Sequence, residues 1–223
     1  MKPMERYENE RKRNREKREE TILKAAEKLF IEKGIENTTM QDIADEANLG
    51  VATVFRLFQK KERIIVAVAT KKLELIRDIF QKIASMDKTC YEKMEHLLEH
   101  LIQNLYPNHN DATKILENFD TYAARITDEP EEIGMFKSVY REISGIFSKI
   151  IEEGMRDGSV RTDIDIRGTL ITLINAAAIF SRKLSLQRSI LFIQLDLEPE
   201  QQLEILKGII LDYLKPTEKK TAG

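Results

Sequence analysis

The chain has 223 residues, enough for one or two domains, and its 42% hydrophobic and 33% charged residues are typical of a soluble globular protein. The 36 basic and 38 acidic side chains give a net charge of −2, and the single cysteine, Cys90, excludes an intramolecular disulfide and a cysteine-based zinc cage. Few glycines and prolines, no phosphate-binding glycine loop and no membrane-length apolar run predict an all-α, cytoplasmic protein.

The first predicted helix spans about Arg11–Lys33 and ends at Gly34, the residue type expected just past a helix C-terminus. Its apolar stripe has helical spacing and is formed by Ile22, Ala26, Leu29 and Phe30. The run Arg11–Arg18 is rich in basic residues but is interleaved with glutamates. Two interpretations remain open for it: an arm that enters a DNA minor groove, or a charged extension of the helix.

Two short helices are predicted next. Thr39 begins the first, and Asp42 three positions later completes the pattern of a capping box. Asn48 tolerates the left-handed backbone that a tight turn requires. The second helix spans about Gly50–Phe58 and offers Val54 and Phe58 to a core. Two such helices joined by a short turn form a helix-turn-helix.

This segment resembles the DNA-binding domain of TetR-family transcriptional regulators. The matching residues are Ala25-Ala26, Leu29-Phe30, Gly34, Thr39-Met40, Ile43-Ala44, the run Ala47–Phe58 and Lys61-Glu62. Asn48 replaces the usual glycine of the turn, and Gly50 replaces a common capping serine, so the second short helix is expected to begin less firmly.

The resemblance implies that the second short helix reads the major groove, and its residue types fit that role. Arg56 can pair with guanine, Thr53 can reach a base or a phosphate, and Val51 and Ala52 can pack on thymine methyl groups. Lys60, Lys61 and the amides that begin the Thr39 helix are expected to hold phosphates. The predicted DNA-binding set is Thr39, Gln41, Gly50, Val51, Ala52, Thr53, Phe55, Arg56, Lys60 and Lys61.

Six further helices bring the expected total to about nine. They are predicted at about Lys61–Met86, Lys88–Tyr106, Asp111–Thr127, Pro130–Arg156, Asp165–Leu186 and Pro199–Leu214. We expect residues 1–60 to form the DNA-binding domain and residues 61–223 a helical effector-binding and dimerisation domain. The resemblance implies that the last two helices form a four-helix dimer interface, and the nearly uninterrupted apolar run Leu170–Phe180 is consistent with that.

Aromatic side chains recur on the inward stripes of the helices between Lys61 and Arg156. Such stripes usually form a solid core, but polar residues beside them favour a ligand cavity. The predicted pocket set is Phe80, Tyr91, Met94, Asn118, Phe119, Tyr122, Arg125, Phe136, Tyr140 and Asn175. For Asn175, a pocket group, a dimer-interface group and an internal hydrogen bond remain open.

The sequence therefore predicts a DNA-binding transcriptional regulator that acts as a homodimer on a palindromic double-stranded operator. We expect a repressor released by a small amphipathic or apolar ligand. No catalytic residues or cofactor are predicted, because no Ser/His/Asp set or carboxylate pair is convincingly placed. No metal site is predicted either: His96 and His100 have a spacing that can hold a metal, but both point away from the apolar face of their helix and are expected to be solvated. Two alternatives are an all-helical enzyme or small-molecule-binding protein without DNA binding, and a helical adaptor that binds protein.

Overall fold

The computed structural model describes residues 3–103, 111–125, 133–188 and 197–216. Within these ranges the chain forms nine helices and no strand. In chain order they are α1 (Pro3–Lys33), α2 (Met40–Glu46), α3 (Val51–Phe58), α4 (Lys61–Ala84), α5 (Cys90–Gln103), α6 (Asp111–Ala123), α7 (Ile133–Asp157), α8 (Ile166–Arg188) and α9 (Pro199–Leu214). Among the described residues, no helix is long and apolar enough to cross a membrane.

The predicted helices are confirmed in order, and α9 has the predicted bounds. The start of the first helix was placed too late: α1 begins at Pro3 rather than near Arg11. The apolar stripe marks only the packed half of α1, whereas the preceding residues are mostly charged helix formers. The predicted helix ends at Tyr106 and Thr127, and the predicted start at Pro130, lie outside the described residues.

Backbone packing divides the chain into two compact units. Unit 1 contains Met1–Glu74 and Asp111–Val139, and unit 2 contains Leu75–Asn110 and Tyr140–Gly223. The helices α4 and α7 each contribute to both units. The predicted boundary between a DNA-binding domain (residues 1–60) and an effector-binding domain (residues 61–223) is a functional division and stays a prediction. The packing units differ from it, because α6 packs with the first three helices.

The core of unit 1 joins α1, α2, α3, the first half of α4 and α6. Its largest fully buried side chains are Ile22, Phe30, Ile43, Ile64, Ile65 and Ile115. The rings of Phe119 and Phe136 pack with their centroids 4.8 Å apart. Burial of these side chains supplies the main free energy that holds α2 and α3 against α1.

The core of unit 2 is built from the second half of α4 and from α5, α7, α8 and α9. Its fully buried side chains include Met94, Ile150, Leu170, Ile210 and Leu214. Cys90 begins α5 and is also buried, and burial raises the pKa of its thiol to about 12. Because the thiol stays protonated, Cys90 acts as a small apolar side chain in this core.

One face of α8 and α9 leaves large apolar side chains exposed. Ile171 and Ile179 lie eight residues apart on α8, and Ile205, Ile209 and Tyr213 follow each other at four-residue steps on α9. Ile179 is 66% exposed and Ile209 is 61% exposed. Of the other apolar residues of α9, Leu206 is partly buried and the rest, among them Leu203 and Ile210, are buried in the protomer, so the exposed set has no role in its own core.

Candidate nucleic-acid interface

The N-terminus of α2 is built as the sequence predicts. Thr39 precedes the helix and accepts a hydrogen bond from the backbone N–H of Asp42 at 3.1 Å. The Asp42 carboxylate in turn accepts from the backbone N–H of Thr39 at 2.7 Å, which completes the capping box. Hydrogen bonds from Thr39, followed by the contact with Lys33, lower the pKa of Asp42 to about 2. The box fixes the first turn of α2.

The turn between α2 and α3 depends on Asn48, whose φ of 52° lies in the left-handed region. The backbone N–H of Leu49 donates to the carbonyl oxygen of Ala44 at 2.9 Å, and the Leu49 side chain packs partly against the core of unit 1. Gly50 precedes α3 and supplies no side-chain cap, as expected from the sequence. The turn therefore orients α3, while the start of α3 is held by backbone bonds alone.

Fewer residues of α3 are fully exposed than the predicted DNA-binding set contains. Val54 and Phe58 are buried, and Ala52, Phe55 and Arg56 are exposed. Thr53 is half-buried. Val51 packs partly against the core, so its predicted place on the DNA-facing surface is wrong in part.

Lys60 and Lys61 differ although they are neighbours in sequence. Lys60 is exposed, as a phosphate-binding side chain must be. The ammonium of Lys61 instead donates to three backbone carbonyl oxygens between α1 and α2, those of Ile35 (3.1 Å), Glu36 (3.4 Å) and Thr38 (2.9 Å). The structure therefore corrects the prediction for Lys61: its three donors hold the loop before α2.

A tight turn at Gln59 connects α3 to α4. Gln59 has a φ of 60°, and the backbone N–H of Lys60 donates to the carbonyl oxygen of Phe58 at 2.6 Å. This is a three-residue γ-turn with a positive φ, a strained form that costs about 1–3 kcal/mol in a non-glycine residue. Sequence reasoning missed it, because no glycine or asparagine marks the position.

The remaining predicted contacts lie on α2. Gln41 is exposed, and its side-chain amide donates to the Asp45 carboxylate at 2.8 Å. The Thr39 hydroxyl donates to the Asp42 carboxylate at 2.6 Å. Both side chains lie at or near the N-terminal end of α2, where backbone amides favour an anion. The helix-turn-helix thus presents a small polar edge on α2 and an exposed face on α3.

Comparison with known proteins agrees with this geometry. Residues 22–68 match the family model described as bacterial regulatory proteins, tetR family. This match, together with the relatives described next, supports a TetR-family transcriptional regulator. The matched residues contain the packed half of α1, all of α2 and α3, and the start of α4.

Relatives of this TetR-family chain are similar at moderate identity. The transcriptional repressor KstR2 of Mycolicibacterium smegmatis is 26% identical over 149 residues, which cover 67% of this chain and 70% of that protein. An HTH-type transcriptional regulator of Staphylococcus aureus is 35% identical over 92 residues. That match covers 41% of this chain and about half (48%) of the regulator.

The fold extends over nearly the whole chain. The regulator FadR from Bacillus subtilis, solved in complex with stearoyl-CoA, superimposes with a TM-score of 0.65 at 14% identity. The match covers 87% of this chain and 98% of FadR. The TetR-like architecture predicted for the chain, an N-terminal helix-turn-helix followed by a larger helical part, is therefore confirmed.

The predicted ligand-pocket residues of this TetR-family chain fall into both compact units. Asn118, Phe119, Tyr122, Arg125 and Phe136 belong to unit 1, and the other five belong to unit 2. In unit 2, Tyr91 and Met94 pack into the core, and the Phe80 ring packs edge-on against Phe147. Three members are exposed, contrary to a place inside a pocket: Arg125, Tyr140 and Asn175. The pocket itself stays a prediction.

Two polar members of that set have partners at the end of α1. The Asn118 side-chain amide donates to the carbonyl oxygen of Phe30 at 2.9 Å, within the last turn of α1. Arg125 forms an ion pair with Glu36. The last carbonyls of a helix lack partners inside the helix, so Asn118 satisfies one of them. The polar side chains of Asn118 and Arg125, which suggested a ligand site, therefore connect α6 and the residues after it to the end of α1.

Asn175 has a different explanation. It lies midway between Ile171 and Ile179 on α8, at four-residue steps, and is exposed with them. Of the three interpretations left open by the sequence, this position favours the dimer interface.

Proposed function

We propose that this TetR-family regulator is a homodimeric repressor that binds a palindromic double-stranded operator and releases it when a small amphipathic molecule binds. The observation that carries the proposal is the exposed face of α3, where Ala52, Phe55 and Arg56 project from a helix whose other side is fixed in a core. The relative in Mycolicibacterium smegmatis, a named repressor, supports this direction of control.

The chemistry of α3 favours base contacts that are largely apolar. Arg56 is the one basic residue on α3, and it can donate two hydrogen bonds to guanine. Ala52 and the exposed ring of Phe55 can pack on thymine methyl groups. We therefore expect a half-site with one guanine position read by Arg56 beside thymine-rich positions, held in register by phosphates at Lys60 and at the start of α2.

The exposed face of α8 and α9 supports the homodimer. Two copies related by a twofold axis would bury Ile179, Ile205, Ile209 and Tyr213 of each chain in one interface. A dimer places two α3 helices on half-sites whose centres are about one helical turn of DNA, roughly 34 Å, or a multiple of it apart. Palindromic recognition follows from that symmetry.

The proposed class of effector rests on the expected chemistry of the ligand and on one structurally similar regulator. The FadR structure holds stearoyl-CoA, an amphipathic molecule with an anionic end. We propose a ligand of the same general kind for this chain. Because the ligand must release DNA, it binds the DNA-free conformation better, and DNA must weaken ligand binding by the same factor.

The test is selection of duplexes by the wild-type protein from a random-sequence library, followed by affinity measurements with Arg56→Ala. We expect a palindromic consensus, and a loss of about 1–3 kcal/mol in binding with relaxed specificity at one base pair. Arg156→Ala is the matched control, because Arg156 is an exposed arginine of α7 in unit 2. A wild-type protein that selects no sequence would refute the proposal.

A further inference from the structure

The N-terminal half of α1 projects from the core of unit 1. Every residue from Met4 to Arg18 is exposed, whereas Ile22, Ala26 and Phe30 of the same helix are buried. The helix is continuous from Pro3 to Lys33. At 1.5 Å per residue, the projecting segment of α1 is about 24 Å long, and it is fixed to the helix-turn-helix by its own buried half.

Charges are sorted around this projecting helix. At about 100° per residue, Glu5, Glu8, Glu16 and Glu19 lie on the side that continues the buried stripe of α1. Arg6, Arg13 and Lys17 lie on the opposite side, with Glu10 as the single carboxylate among them, and Arg11 and Arg18 lie at the border, in line with the buried Leu29 and Ala25. Between residues 11 and 18, six basic side chains and one acidic side chain give a local charge of +5.

The basic side of the projecting helix is not neutralised by its neighbours. In the described part of the chain, Arg11, Arg13, Lys17 and Arg18 form no ion pair, whereas Arg15 pairs with Glu19 at 2.8 Å on the acidic side. Farther along α1, Lys24 and Lys28 are already paired, with Glu20 at 2.9 Å and Glu46 at 2.7 Å. The unpaired guanidinium and ammonium groups therefore lie in the projecting half.

The direction of the projection relates it to α3. Lys33 pairs with Asp42 at the start of α2, and Lys28 pairs with Glu46 at its end, so α2 runs antiparallel to α1. The projecting half of α1 therefore extends beyond the C-terminal end of α2. This is the end at which the Asn48 turn leads into α3. In a helix-turn-helix, the N-terminal residues of the second helix approach the bases.

We propose that the basic side of this helix binds the DNA phosphates flanking each operator half-site, an inference that rests on the proposed function. A helix with side chains is about 10–12 Å wide and does not fit the B-DNA minor groove of about 6 Å. The helical structure of residues 3–18 therefore argues against the minor-groove arm left open by the sequence. The segment lies along the sugar-phosphate backbone and adds affinity that is independent of sequence.

The experiment compares two double variants with equal changes in charge. Arg13→Gln with Lys17→Gln removes two positive charges from the basic side, and Lys12→Gln with Arg15→Gln removes two from the acidic side. Glutamine keeps the helix propensity close to that of lysine and arginine. Affinity for a duplex selected by the wild-type protein, with flanking DNA retained, is measured by fluorescence anisotropy between 50 and 300 mM NaCl, roughly the range where counterion release is steep.

We expect the first variant to lower the slope of log affinity against log salt by about 1.8 per protomer, since each lost phosphate contact removes about 0.9. The second variant should keep the wild-type slope. Equal slopes for the first variant and the wild type, or equal losses in both variants, would overturn the inference. Failure of the wild-type protein to select any duplex would instead refute the proposed function, so the two failures are distinguishable.

Discussion

At the scale of single residues, Lys61 shows how a charge can serve the fold instead of the ligand. Its ammonium donates to three carbonyl oxygens between α1 and α2. Its removal leaves the partly buried Thr38 carbonyl without this donor, whereas the Ile35 carbonyl also accepts from the backbone N–H of Thr38 at 3.3 Å. We expect Lys61→Met to lower the free energy of unfolding by about 1–3 kcal/mol. Urea denaturation measures the effect.

Lys60→Met is the matched control for Lys61→Met, because Lys60 is exposed one position earlier. This variant should unfold like the wild type and yet bind DNA with a smaller salt slope, by about 0.9 for one lost phosphate contact. If Lys61→Met unfolds like the wild type and weakens DNA binding as Lys60→Met does, Lys61 is a phosphate ligand after all.

Asp42 makes the stability of unit 1 depend on pH. Its pKa is lowered from 3.8 to about 2 by hydrogen bonds from Thr39 and by Lys33. A lowered folded-state pKa contributes stability that is present above the unfolded value and is lost as the pH falls through the folded value. We therefore expect the stability difference between the wild type and Asp42→Asn to shrink between about pH 5 and pH 2. A difference independent of pH, measured by urea denaturation, would contradict this assignment.

At the scale of elements, α5 and α7 touch at a glycine. A Cβ built on Gly154 would lie 2.6 Å from Sγ of Cys90 and 2.8 Å from its Cβ, so α7 approaches the start of α5 too closely for alanine. We expect Gly154→Ala to destabilise the protein by about 1–3 kcal/mol through overpacking. Thermal denaturation monitored by circular dichroism tests this.

The same helix provides the control for Gly154. A Cβ on Gly145 would meet nothing within 4 Å, so Gly145→Ala should leave stability unchanged or raise it by up to about 1 kcal/mol. Combining Gly154→Ala with Cys90→Ala should cost less than the sum of the two single changes, since the clash partner is gone. Additive effects would show that the contact between α5 and α7 is not the cause.

At the scale of the whole molecule, the exposed face of α8 and α9 carries the proposed dimer interface. Ile209→Glu places a carboxylate where the proposed dimer buries an isoleucine, so we expect dissociation to monomers in sedimentation-velocity experiments. Operator affinity should fall with it, because one α3 helix cannot engage both half-sites. Met155→Glu is the control, since Met155 on α7 is equally exposed at 61%. A dimeric Ile209→Glu protein would place the interface elsewhere.

Local signals predict much of this molecule. Helix bounds follow from apolar periodicity, the start of α2 from Thr39 and Asp42, and the turn from Asn48, because each of these depends on residues within about one helical turn. The helix-turn-helix and its family could be identified for the same reason, since the pattern is contiguous. The extent of α1 was underestimated, because a solvated charged helix carries no apolar stripe.

Contacts between residues distant in sequence had to come from the tertiary structure. Lys61 bonds to carbonyls more than twenty positions earlier, and Asn118 bonds to Phe30 across 88 positions. No spacing rule predicts such pairs, so a lysine was mistaken for a phosphate ligand and an amide for a pocket group. Likewise, whether an apolar residue of α9 is buried or exposed depends on which sides α5 and α8 cover. The type of a residue determines whether it can form hydrogen bonds or bury apolar surface. Which partner it contacts is determined by how the helices pack.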